Sequence, residues 1–186
     1  MKKLLYALLA IFLVSCSLLP NLGPDTDILI SDVNILDVRT GEILKNRHVV
    51  IDSGRIKSIS ENLDLGNRYS LIIAGEGKYL MPGLAEMHAH IPPPTTDTQR
   101  VEDVLFLYLS NGITTIRGML GDPAHLDLKE RARTGEVLGP RIFTSSPSLN
   151  GNSVTTKEEA IEKVTAYQKD GYDFLKIHPG IQRDVF

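Results

Sequence analysis

Residues 80–90, LMPGLAEMHAH, constrain this 186-residue chain more than any other stretch. Pro82 and Gly83 open an apolar run that reads as a buried strand. Proline lacks an N–H, so it suits the first residue of a strand or the bend before it. Along a strand, side chains at i and i+2 point to one face. His88 and His90 therefore project the same way, close enough to hold one metal ion. Read alone, a His-x-His pair fits the plainer role of two imidazoles packed in a core or at a surface better than metal binding.

The chain changes texture on either side of this stretch. Upstream, residues 28–30, 33–38, 48–52 and 55–59 are rich in β-branched side chains and bounded by turn residues, which predicts short strands. Asp52-Ser53-Gly54 predicts a hairpin turn, with Gly54 free to take positive φ. The pattern suggests a small β-sandwich-like domain over 27–82. Downstream, strand and helix alternate, the signature of βα units and an α/β fold. Strands are predicted over 84–90, 113–117, 141–145 and 172–178. Between the first two lies a helix over 98–111, where Val101, Val104, Leu105 and Tyr108 recur at helical spacing and Gly112 provides the stop. A second helix covers 123–134, with Asp122 as cap and Pro123 in its first turn. A third starts at Thr155, with Glu158 three residues on as a capping box.

The first residues are a leader by composition. Lys2 and Lys3 form a positive start, and residues 4–14 are apolar but too short to span a bilayer comfortably. Removing a leader that ends at Ser15 would take the net charge from −3 to −5. Mild acidity without a basic patch argues against a nucleic-acid partner. The 42% hydrophobic content is enough for a core. The chain's one cysteine, Cys16, leaves the rest with no possible disulfide.

Three resemblances follow from these residues. Leu13-Val14-Ser15-Cys16 resembles a bacterial lipobox, which implies cleavage before Cys16, lipidation of it and anchoring to membrane. Residues 16–26 then act as a tether, and Ser17 after the cysteine implies the outer membrane, facing the periplasm. Met81-Pro82-Gly83-Leu84 with His88-Ala89-His90 resembles the first-strand signature of the amidohydrolase superfamily. That resemblance implies a (β/α)8 TIM barrel whose strand-one histidines bind a divalent metal, most simply zinc, one or two ions. Within the superfamily, the stretches VNILDVRTGEI (33–43), ITTIR (113–117) and DFLKIH (173–178) look most like the imidazolonepropionase and Xaa-Pro dipeptidase branch. The implied reaction is metal-assisted hydrolysis of a C–N bond in a small cyclic amide or dipeptide-like substrate. By the same resemblance, Lys176 is a metal ligand that can be carboxylated to bridge two ions. A lysine inside an apolar strand is costly unless paired or modified, and burial promotes the neutral amine that carboxylation needs.

His178, two residues from Lys176, is expected to touch the substrate, a metal, or merely its packed surroundings. Arg117 is open between a substrate carboxylate and a structural ion pair. The loop 146–153 either borders a pocket or simply connects. His48 and His125, in polar surroundings, are expected to face solvent. A closed barrel takes about 250 residues, and Gly83 to Phe186 supplies about 100. The reading is therefore the first four βα units of a truncated barrel. The family's later histidines and its general-base aspartate have no counterpart here, so the chain is expected to be inactive alone. The alternative is a non-catalytic metal- or ligand-binding envelope lipoprotein.

Overall fold

The structure is a computed structural model and describes residues 27–63, 69–93 and 97–186. The predicted leader, Cys16 and the tether lie outside the described residues. The chain divides into two compact units, the first ending at Pro82 and the second running Gly83–Phe186. Among the described residues, no helix is long and apolar enough to cross a membrane.

The first unit is one mixed sheet. Its strands are β1 (Ile28–Leu36), β2 (Ile43–Asp52), β3 (Arg55–Ser60), β4 (Leu71–Ala74) and β5 (Tyr79–Leu80). They run in the order β3-β2-β1-β4, with β5 also on β1. β2 and β3 form a hairpin closed by the Asp52–Arg55 pair. Ser53 (φ 51°) and Gly54 (φ 73°) both take positive φ there, the conformation that matches a two-residue turn to strand twist. β4 and β5 lie in succession along β1, both parallel to it.

Three expectations are corrected in this unit. The predicted strands at 28–30 and 33–38 are one continuous strand. It bulges where Asp32 takes φ 55°, and a bulge bends a strand without ending it. In place of the expected sandwich, the described strands form a single hydrogen-bonded sheet. His48 is 8% exposed and does not face solvent. It lies in β2 beside buried Val49 and Val50, and its Nδ1 accepts the Asp32 N–H at 3.4 Å. The bulge thus supplies the polar partner that lets an imidazole be buried.

The second unit begins with β6 (Leu84–Ala89), α1 (Thr98–Ser110), β7 (Ile113–Gly118), α2 (Ala124–Thr134) and β8 (Arg141–Thr144), followed by α3 (Lys157–Asp170). The three strands are parallel in the order β6-β7-β8, as strand–helix–strand crossovers require. Ala89, Ile116 and Ile142 from the strands pack with Val101 and Leu105 of α1 and Leu128 of α2 into one core. Leu149, Val154 and Val185 form a second, smaller core against α3.

Local chemistry sets the helix ends. Asp97 caps α1 by accepting the Arg100 N–H. Asp122 accepts the Ala124 N–H at the start of α2, and Gly135 ends that helix at φ 79°. The capping box of α3 sits one residue later than predicted, on Thr156 and Glu159. Both frames carry the Thr-x-x-Glu pattern. The later one wins because the Glu159 carboxylate also collects the N–H and hydroxyl of Thr155, each at 2.8 Å.

The predicted fourth strand, 172–178, is not continuous. It touches the segment after β8 through two isolated bridges, Ser145 to Phe174 and Leu149 to Ile177. Pro147 lies between them and has no N–H to give. Between the two bridges the Lys176 N–H goes to a side chain, the Ser146 hydroxyl, which accepts it at 3.1 Å. Asp173 fastens the start of this segment: it accepts the Thr144 N–H at 2.8 Å, and its two carboxylate oxygens each accept from Lys129 of α2 at 2.7 Å.

Candidate metal centre

His88 lies in β6 and His90 follows directly after it. Their ring centroids are 5.3 Å apart, tilted by 42°, and both residues are exposed. Ala89 between them is 1% exposed and belongs to the core. One buried methyl therefore anchors the strand while its two neighbours turn away from the core together.

The backbone at this point departs from a regular ladder. The pairing of β6 with β7 shifts register between Glu86 and Ala89. Two backbone groups within the shift find side-chain partners. The His88 N–H donates to Glu86 Oε1 at 2.8 Å, and the Met87 carbonyl accepts from Arg117 Nε at 2.8 Å. Irregularities of this kind re-aim side chains and occur beside active sites. Glu86 and Arg117 are therefore parts of the site that alternation alone does not reveal. Glu86 is two residues from His88, whereas Arg117 is thirty from Met87, and the sequence carries no signal for that contact.

Arg117 makes no ion pair among the described residues. Its guanidinium carbon lies 5.7 Å from the centroid of the Phe174 ring, within the range of a cation–π contact. Phe174 in turn stands 6.4 Å from Phe143 of β8. Of the two roles left open for Arg117, the structural ion pair is not the one seen.

Lys176 is half-buried, less enclosed than expected for an amine that burial would neutralise. His178 is exposed, and its N–H donates to the Leu149 carbonyl at 2.9 Å. The loop 146–153 is well packed: Ser146 and Leu149 are buried, and Ser153 closes on Asn150. His125 is 1% exposed, contrary to the expectation that it faces solvent. Its Nε2 lies 3.3 Å from the Pro92 carbonyl, in the loop after His90. The burial was readable: His125, Leu128 and Ala132 share one stripe of an otherwise charged helix.

The donors at β6 suit a divalent ion such as zinc: two exposed imidazole nitrogens on one face, with the open surroundings an exchangeable ligand needs. They amount to a pair. Among the described residues, no group of three or more His, Cys, Asp or Glu stands together as a potential metal cluster.

No protein-family model matches the chain. It is 34% identical over 168 residues to a dihydroorotase of Caldanaerobacter subterraneus subsp. tengcongensis, covering 85% of this chain and 38% of that protein. It is 33% identical over 118 residues to an adenine deaminase of Staphylothermus marinus, covering 62% and 17%. Among solved structures, a prolidase complexed with N-methylphosphonate-L-proline superposes with a TM-score of 0.72 at 25% identity, over 82% of this chain and 46% of that one. These relatives support the amidohydrolase superfamily. A bottromycin amidohydrolase adds a likeness of fold, with a TM-score of 0.68 at 23% identity over 91% of this chain. The mixed α/β structure is consistent with part of an amidohydrolase fold. The chain spans less than half the length of each of these relatives.

Proposed function

We propose that the chain carries the first part of a metal-dependent hydrolase for C–N bonds other than ordinary peptide bonds. The observation that carries this reading is the histidine pair, 5.3 Å apart and facing one way from a bulged strand end. The relatives add support: one is an adenine deaminase, one a dihydroorotase and one a prolidase. Small cyclic amides or dipeptide-like molecules are the proposed substrate class.

In this reading His88 and His90 hold a divalent ion, zinc by preference, and a carboxylated Lys176 provides an oxygen ligand. The ion, when bound, lowers the pKa of bound water and polarises the scissile carbonyl. Glu86 fixes the backbone before His88, and so the direction of both rings. His178 is proposed to meet the substrate. The general base is not among the residues assigned here, so turnover by this chain alone is not expected. A lipid on Cys16, anchoring the protein to the outer membrane, completes the proposal and rests on the lipobox-like sequence.

The test is zinc content after dialysis of the purified chain. Wild-type protein is expected to retain zinc, and His88→Ala and His90→Ala are each expected to lose most of it. Equal zinc in wild type and both variants would remove the basis of the proposal.

A further inference from the structure

Among the described residues, Arg117 is a cation without a carboxylate partner. Its Nε–H is committed to the Met87 carbonyl, one residue before His88. Arginine has five N–H donors in a planar fork, so the terminal pair of nitrogens remains for another acceptor. The Phe174 ring lies 5.7 Å behind the guanidinium carbon and Phe143 supports that ring. These contacts fix the plane of the fork, which lowers the entropy lost when it binds. The chain holds several other arginines in ion pairs, with Glu61, Asp127, Glu130 and Glu136 among their partners. The arginine tied to the metal strand has no such partner among the described residues.

We propose that Arg117, backed by Phe174, forms a subsite for the carboxylate of a small anionic amide whose amide group lies toward His88 and His90. The assignment rests on reading those histidines as the metal centre, and it narrows the substrates to anions. A planar, bidentate acceptor is what the fork geometry selects.

The experiment titrates the full chain, zinc-loaded and metal-free, with N-acetylglycine and with N-acetylglycinamide. The two ligands differ in the carboxylate alone. Wild-type protein is expected to bind the anion about tenfold or more tightly than the neutral amide, the scale of a charge-assisted hydrogen bond. Arg117→Gln is expected to abolish the preference, and Arg117→Lys to restore part of it. Far-UV circular dichroism monitors the fold of each variant. Phe174→Leu keeps the charge and removes the ring, and is expected to weaken anion binding several-fold. A preference that persists without zinc and vanishes in Arg117→Gln supports the subsite even where the metal reading fails. Equal affinities in wild type, no anion binding at millimolar concentration, or a preference retained by Arg117→Gln would each overturn it.

Discussion

Single residues decide how the candidate site is aimed. The two imidazoles diverge from the core because Ala89, between them, is buried, and because the peptide group joining Met87 to His88 bonds to side chains through both its carbonyl and its N–H. A glycine sets a second constraint. A Cβ on Gly121, just after β7, would lie 2.2 Å from the backbone oxygens of both Ser145 and Ser146. Backbone cannot swing aside as a flexible side chain can, so Gly121→Ala must push the segment after β8 away. The expected cost is at least about 2 kcal/mol, by analogy with overpacked cores, read as a lowered midpoint in urea unfolding. An unchanged midpoint would mean that the two segments are less closely apposed than described.

Among the elements, α1 and α3 make separate predictions. Leu105 of α1 is 0% exposed and sits in the main core of its unit. Leu105→Ala is expected to cost about 2–5 kcal/mol, whereas truncation of exposed Leu107, two residues along, should cost little in the same denaturation assay. In α3, hydrogen bonds from Thr155, its backbone N–H first, hold the Glu159 carboxyl below its ordinary value of 4.5. A depressed carboxyl stabilises the fold at pH values above its unfolded pKa. That contribution is lost as pH falls through the lower folded value. Glu159→Gln should therefore reduce Tm near neutral pH, and the gap to wild type should shrink as the solution is acidified below about pH 4. A gap that widens in acid would contradict this assignment.

The elements also show what a reader of the sequence can and cannot see. Helical spacing marked Val101, Leu105 and Tyr108, and strand period marked His88 and His90, because both patterns are local. The fusion of two predicted strands into β1 turned on one residue, Asp32, adopting positive φ. The interruption at 172–178 depended on Pro147, some thirty residues away in sequence but opposite in space. Arg117 bonding to Met87 crosses between strands, so no window along the chain contains both partners. The burial of His125 is legible in its helical stripe with Leu128 and Ala132, whereas that of His48 rests on Asp32, which lies on another strand.

Taken whole, the molecule is two units of different construction, a mixed sheet and a run of parallel βα units. It spans less than half the length of these relatives. Several apolar residues of the second unit, Leu84 and Met87 of β6 and Phe174 and Ile177 after α3 among them, remain 40% to 54% exposed. Isolated apolar exposure is ordinary, but these residues share their segments with the histidine pair and with Lys176. The functional account stands on two imidazoles acting as one ligand set. X-ray absorption at the zinc edge of the zinc-loaded chain addresses that directly. The account predicts two imidazole nitrogens at about 2.0–2.1 Å from the metal, with the imidazole scattering lost in the His88→Ala/His90→Ala double variant. A spectrum without imidazole ligands, or one that the double variant leaves unchanged, would contradict it.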